Sequence, residues 1–508
     1  MVLISLLLLL LPVSVITILV IIILPRLLAN PALSPKKPLP PGPKPWPIVG
    51  NLPHLGKMPH LSFQHFSNLY GPLISFRLGS QHLVVANSPA AASEILRTHD
   101  RILSARFISR VFPYTATELA RKAVIWASSC NSQWKDFRAM FRNQIFSNKA
   151  IESQAALREK KVAEMVEFLG GKLGESVSIE EVAFSSIFDS LSNLIFSRDC
   201  IGFERNETKN QLRSLIQRLI ELGVAPNLAD FFPILKNLDL QGLTREASRT
   251  LNQIYSIFAP YVKERREKRK KQEGDKAGDF LDIFLENGLD DDQINWLTLE
   301  LYVAGTDTTA LTIEWAMTEL VRNRGAMNKL REELKREVML PPLPGEPLIN
   351  ESVLAQLSYL NAVVKETMRL HPVGALLLPH RAAESCEVMD YTIPAGAQVL
   401  VNVWAIGRDP AIWGDDSASF RPERFIGSKV DFRGQDFELL PFGSGRRMCP
   451  GVPLATRQVP LVLAALVRSF DWCLPGEEDP REMNMSEKFG LLLQKERPLL
   501  LVPSRSSL

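Results

Sequence analysis

Cysteine is scarce in this chain of 508 residues. Its five thiols, Cys130, Cys200, Cys386, Cys449 and Cys473, are widely spaced and odd in number, and no two form a C-x-x-C pair. Neither a disulfide framework nor a zinc site follows. Gly/Ser linkers are missing, and so is any repeated unit of about 20 to 50 residues, which argues against a solenoid or a string of domains. An excess of one charge is missing too: 59 Lys+Arg against 56 Asp+Glu leave a net charge of +3. On that ground nucleic acid is not expected as a partner. The densest basic run, residues 263–271 (KERREKRKK), is bracketed by acids and reads as a solvated helix end. What the chain does have is apolar material, 46% of its residues, enough for a large core and incompatible with disorder.

Charge is absent from the first 25 residues, and residues 2–24 form one apolar run. As a helix rising about 1.5 Å per residue, such a run crosses a hydrocarbon core of about 30 Å. A cleaved signal peptide is the competing reading, but it normally has a basic start and a shorter apolar stretch. The spacing therefore predicts a transmembrane anchor over 1–25. Arg26, Lys36 and Lys37 follow it, which leaves the bulk of the chain on the cytosolic side. Residues 26–47 form a basic, proline-rich linker in which 38–47 (PLPPGPKPWP) resists helix and reads as a stiff spacer, an SH3-type ligand being the alternative. Residues 48–508 are expected to form one large domain.

That domain is expected to be mainly α. Apolar residues recur at helical spacing over 90–98, 132–146, 150–170, 211–221, 244–270, 293–322, 326–338, 354–370 and 452–470, with short strands at 73–76, 82–86 and 399–403. Acids at 290–292 start the long 293–322 helix, and Gly325 is the expected stop.

Four motifs carry chemistry. Cys449 sits in 441–451 (PFGSGRRMCPG), just before a helix, where backbone N–H groups and the neighbouring Arg446 and Arg447 favour a thiolate suited to nucleophilic attack or metal ligation. A buried, inert cysteine is the plainer alternative. Glu366 and Arg369 lie three apart on one helix face and precede the run 420–425 (FRPERF), which contains Arg424. Trp134 and Arg138 lie one turn apart, an indole N–H and a guanidinium both able to donate to an anion. The run 304–309 (AGTDTT) interrupts the long helix with glycine and hydroxyls, which on its own reads as a kink.

Together these motifs resemble the cytochrome P450 superfamily. F-x-x-G-x-R-x-C-x-G is matched by Phe442, Gly445, Arg447, Cys449 and Gly451, E-x-x-R by Glu366 and Arg369, PERF by 422–425, W-x-x-x-R by Trp134 and Arg138, and A-G-x-D-T-T by 304–309. The resemblance implies a helix-rich P450 fold with small β-sheets and haem b (iron protoporphyrin IX) ligated by Cys449. Cofactor contacts are implied for Trp134, Arg138, Ala304, Gly305, His380, Phe442, Arg447 and Gly451, and a structural charge triad for Glu366, Arg369 and Arg424. Asp307 and Thr308 take the proton-delivery positions, since cleaving dioxygen consumes two protons that must reach an otherwise dry site. Electrons are expected from NADPH through NADPH-cytochrome P450 reductase, with an exposed basic set, Lys135, Arg142 and Arg446, as its docking surface. The implied location is the endoplasmic reticulum membrane, single-pass, with the domain in the cytosol.

Longer stretches, 92–106, 431–439 and 487–495, are similar to the N-methylcoclaurine 3'-hydroxylases and their alkaloid-metabolising relatives, with geraniol 8-hydroxylases more distant. The expected activity is O2-dependent hydroxylation of a small hydrophobic plant metabolite, foremost a benzylisoquinoline-type alkaloid; oxidative phenol coupling and monoterpenoid hydroxylation are the alternatives. Substrate contacts are implied at 111–125, 219–224, 301–308, 373–378 and 489–492, with Glu118 and Glu300 as carboxylates available to a protonated amine. The chain departs from the family pattern at Asn323-Arg324-Gly325 and around 341–348.

Overall fold

The computed structural model describes residues 37–200, 203, 207–235, 238–271, 278–338 and 347–506. The apolar run at 2–24 and most of the 341–348 stretch lie outside the described residues, among which no helix is long and apolar enough to cross a membrane.

Ten helices place the site: α1 (Pro59–Tyr70), α2 (Ser132–Met140), α3 (Ile179–Phe196), α4 (Glu207–Val224), α5 (Leu243–Lys270), α6 (Asp291–Gly305), α7 (Asp307–Arg322), α8 (Arg324–Glu337), α9 (Ser358–Leu370) and α10 (Val452–Ser469). α3 packs against α6 and α7, α7 against α9 and α10, and one apolar cluster runs through α2 to α10. The helical periodicity located most of these but missed α1 and α3. Most of α3 is buried, Ser186, Ser190 and Ser192 included, so no polar stripe marks its period. The expected 293–322 helix is broken at Thr306, where φ −92° and ψ −74° separate α6 from α7. Asp290 caps α6, with Gln293 closing a reciprocal capping box. Gly325 is not a stop: the junction is Asn323, with φ −110° and ψ 76°, and Gly325 lies in the first turn of α8.

The main sheet has five strands in the order β1 (Leu73–Leu78), β2 (Gln81–Ala86), β5 (Gln398–Val401), β4 (His380–Arg381) and β3 (Ala105–Arg106). β2 pairs parallel with β5 and the other pairs are antiparallel. This sheet holds Arg106 on an edge strand opposite His380. A small hairpin, β6 (Glu487–Lys488) and β7 (Gln494–Lys495), presents the turn between them toward α6.

Two expectations about the surface change. The proline segment is not a free spacer from Pro38 onward: the carbonyls of Pro38, Pro41 and Pro43 accept from Thr392 N, Ser75 N and Asn51 Nδ2 at 2.8, 2.9 and 2.9 Å, and Pro40 and Pro43 are buried. The basic end of α5 is likewise not merely solvated. Arg265 reaches Asp279 and Asp282 at 2.7 and 3.0 Å, and Arg266 reaches Asp291 at 2.7 Å, which ties α5 to the start of α6.

Candidate functional site

The Cys449 loop is shaped by two left-handed glycines, Gly443 and Gly445, each with φ 67°. At Gly445 a Cβ would lie 2.0 Å from the Leu96 carbonyl oxygen, so only glycine lets the loop seat there. The Cys449 N–H closes the loop onto the Phe442 carbonyl at 3.0 Å. Phe442 stands edge-on to Phe432, with ring centroids 5.5 Å apart. Burial pushes the Cys449 thiol up, while the N–H groups of Gly451 and Val452 and the charge of Arg138 pull it down. The helix-start effect expected for the thiolate is therefore present, but desolvation outweighs it.

Around this loop stand three guanidiniums. Arg447 donates from Nε to Ser104 O at 2.8 Å and from its terminal nitrogens to Val124 O and Ala127 O at 3.0 and 2.6 Å. Arg138 donates to Met448 O at 2.9 Å. Arg106, which sequence reasoning gave no role, donates to Ile125 O and Leu378 O at 3.3 and 2.7 Å. Arg447 and Arg138 lie 4.8 and 5.7 Å from the Trp134 ring centroid. The Trp134 indole N–H is spent on Val124 O at 2.9 Å, so in this structure it serves the backbone and not an anion. None of the three arginines has a carboxylate within ion-pair distance among the described residues. Burial lowers all three, and with the charge of Arg447 beside it brings Arg106 to about 9. His380 is buried and donates from Nδ1 to Leu103 O at 2.7 Å; burial, then the charge of Arg106, holds it neutral.

Across α6 and α7, Ala304 is exposed and Thr308 part-exposed between the buried Tyr302, Thr306, Thr309 and Ala310, so one helix face is open here. Each hydroxyl bonds back four residues: Thr306 to Tyr302 O, Thr308 to Ala304 O and Thr309 to Gly305 O, at 2.7, 2.6 and 3.0 Å. Such bonding bends a helix, and the bend falls at Thr306. Gly305 meets α3, where a Cβ would stand 3.3 Å from Leu191. Asp307 Oδ1 is buried with no partner, and burial together with the charge of Glu180 raises the carboxyl to about 6, against the pull of Arg213.

Beneath the loop, Glu366 accepts from Arg369 at 2.7 and 2.8 Å and from Arg424 at 2.9 Å. Arg369 also donates to the carbonyls of Gly407, Ser417 and Ser419, so all five of its N–H groups are used. A carboxylate fully buried between two cations persists because every donor is matched.

The cytochrome P450 family model matches residues 40–502. The chain belongs to the cytochrome P450 family. (S)-N-methylcoclaurine 3'-hydroxylase isozyme 1 of Papaver somniferum is 47% identical over 471 residues, 92% of this chain and 96% of that protein. Corytuberine synthase of Coptis japonica is 43% identical over 93% of this chain and 95% of its own length, and geraniol 8-hydroxylase of Catharanthus roseus is 39% identical over 92% and 94%. The chain is thus a P450 monooxygenase, and the family implies haem.

The residues present fit that group. A half-buried cysteine receiving two backbone N–H groups suits an iron-bound thiolate, and three guanidiniums without carboxylate partners, Arg106 buried and Arg138 and Arg447 half-buried, suit the two propionates of protoporphyrin. Cys449 would hold the metal, with Arg106, Arg138, Arg447 and His380 on the propionate side. Bound through a thiolate, haem supplies the reductive activation of dioxygen that inserts one oxygen atom into a substrate.

A cleft beside the open helix face joins four of the five segments implied for substrate: Phe112, Leu219, Ile220, Gly223, Val224, Val303 and Leu491 line it, together with Glu300 and with Trp126, Trp296 and Leu299, the last three not anticipated. Residues 373–378 do not line it. Both proposed carboxylates are occupied. Glu118 is exposed and forms a capping box with Thr115. Glu300 is buried and accepts from the N–H groups of Val124, Ile125 and Trp126 at 2.8, 3.1 and 3.1 Å and from Trp296 Nε1 at 3.0 Å. Glu300 therefore pins the 124–126 loop to α6 and is no free counter-ion for an amine.

Proposed function

We propose that this P450 hydroxylates a benzylisoquinoline-type alkaloid, drawing electrons from NADPH through NADPH-cytochrome P450 reductase. The observation that carries this reading is near-full-length identity of 46 to 48% to relatives named as (S)-N-methylcoclaurine 3'-hydroxylases, or probable ones, in three organisms. The aromatic and aliphatic lining of the cleft beside Ala304 and Thr308 supports an apolar, ring-bearing substrate. Thr308 Oγ1 and Asp307 are the groups on this chain placed to order water and pass protons at that face. Lys135, Arg142 and Arg446 are exposed on the Cys449 side and supply the basic surface for a reductase, Arg446 sharing its charge with Asp100 at 3.3 Å. We place the domain on the cytosolic face of the endoplasmic reticulum membrane, anchored by the apolar run at 2–24. Exposed Trp46, Ile48, Ile234, Leu238 and Leu240 supply apolar surface for the same membrane.

Oxidative phenol coupling stands as a second reading because one relative is named for the synthesis of corytuberine and not for a hydroxylation. The test is turnover of benzylisoquinolines and monoterpenols in microsomes with added reductase, analysed by mass. Gain of one oxygen on a benzylisoquinoline supports hydroxylation, and loss of two hydrogens replaces it with coupling. Turnover of monoterpenols alone overturns the alkaloid reading.

A further inference from the structure

The cleft is richer in aromatic faces than an aliphatic substrate needs. Phe112 and Trp126, both half-buried, open as a V with centroids 6.3 Å apart and planes 36° from parallel. Trp296 closes its base, edge-on to Phe112 at 6.5 Å and to Tyr114 at 5.2 Å. The indole N–H of Trp296 and the backbone N–H of Trp126 both point at the Glu300 carboxylate behind them. A carboxylate accepting from an indole N–H pushes electron density onto the ring, and an electron-rich face attracts a cation. The neighbourhood already shows this chemistry: the Lys122 ammonium lies 3.6 Å from the Tyr114 ring centroid and 5.3 Å from that of Trp296. Asp292 neutralises Lys122 through two contacts of 2.9 Å, so the lysine does not repel a second cation.

We infer that the V formed by Phe112 and Trp126 over Trp296 is a binding site for the protonated or quaternary amine of the substrate, held by aromatic faces instead of a direct ion pair. The inference rests on the alkaloid reading for its biological substrate but not for its test. Leu299 and Val303 carry the cleft along α6 to Ala304, and Thr308 follows one turn later. Ala304 and Thr308 lie eight and twelve residues beyond Trp296, so at about 1.5 Å per residue the base of the V and the oxidised end are roughly two to three helical turns apart along the axis. Gly223 is part of the same device, because a Cβ there would stand 3.1 Å from the Phe112 ring, tight enough to displace it by a few tenths of an ångström.

The test compares benzyltrimethylammonium with its uncharged carbon isostere, neopentylbenzene, binding to full-length holoprotein by tryptophan fluorescence and by the haem spectral shift. Wild type is expected to prefer the cation at least fivefold. Trp126→Leu removes a face but keeps the backbone N–H that holds Glu300. It should abolish the preference while changing neopentylbenzene affinity less than about twofold, and Trp126→Phe should restore part of it. Equal affinities in wild type, or equal losses of both ligands in Trp126→Leu, would overturn the site and leave a plain apolar wall. Preference that survives Trp126→Leu but disappears in Glu300→Gln would overturn it in favour of a direct ion pair. A cation preference without turnover of any benzylisoquinoline sinks the alkaloid reading alone, whereas turnover without the preference sinks this inference alone.

Discussion

At the scale of single residues, Asp307 and Thr308 are adjacent but differ in what they contribute. Asp307 is costly when ionised: its carboxyl rises from 3.8 to about 6 in the folded chain. A raised pKa means its contribution to stability is complete below about pH 4 and is lost as the pH passes through 6. Asp307→Asn should therefore stabilise the protein by about 2 to 3 kcal/mol at pH 8, and by about half that at pH 5. Thermal unfolding of both proteins at the two pH values measures this, and an advantage that grows on acidification would contradict it. Thr308 costs nothing comparable, since its hydroxyl donates to Ala304 O and keeps its lone pairs for a water. Thr308→Ala should retain the carbon monoxide complex but divert reducing equivalents to hydrogen peroxide, and Thr308→Ser should restore coupling. Product formed per NADPH consumed is the quantity to follow; an unchanged ratio in Thr308→Ala removes the residue from proton delivery.

At the scale of elements, the pinning of the 124–126 loop to α6 by one carboxylate is the most exposed to mutation. Glu300→Ala would leave three backbone N–H groups and an indole N–H without their acceptor, at a cost of about 3 to 5 kcal/mol. Lower unfolding temperature and new proteolytic cleavage near 124–126 are the expected signs, and wild-type resistance would show that water replaces the carboxylate. This element also marks the limit of what the sequence discloses. Glu366, Arg369 and Arg424 were legible because their spacing and neighbours form a motif, and the structure brings them together. Glu300 was legible as an acid near the site but not as an acceptor, because its partners, at 124–126, are backbone groups that carry no residue code. Arg106 was invisible for a related reason: a short edge strand places it, and its partners are two carbonyls. The break at Thr306 was visible only as a polar interruption, since where a helix bends depends on which hydroxyls turn back.

At the scale of the whole molecule, the membrane attachment proposed above joins the run at 2–24 to the exposed apolar surface at Trp46, Ile48, Ile234, Leu238 and Leu240. Gly79 and Ser80 N–H groups bind the Val49 and Phe231 carbonyls, so the β1–β2 turn joins the two halves of this surface. Deleting residues 2–24 should release most of the protein from sedimenting membranes with its haem retained. Adding Ile234→Asp to the deletion should remove what remains. Sedimentation of the double variant at the level of the full chain would show that neither feature is the attachment.

The seating of the Cys449 loop also has a consequence in time. Arg447 and Ser104, which meet at 2.8 Å, are 343 residues apart, and Arg446 and Asp100 are 346 apart. At a synthesis rate of about 5 to 20 residues per second, the N-terminal side of the cradle waits roughly 20 to 70 s for its partner to be made. Closing so long a loop is entropically slow, and the helices between them can fold locally first. Capture of the cofactor is therefore a late event in the life of each new chain, and during that interval Arg106 and Trp134 stand without the loop that covers them.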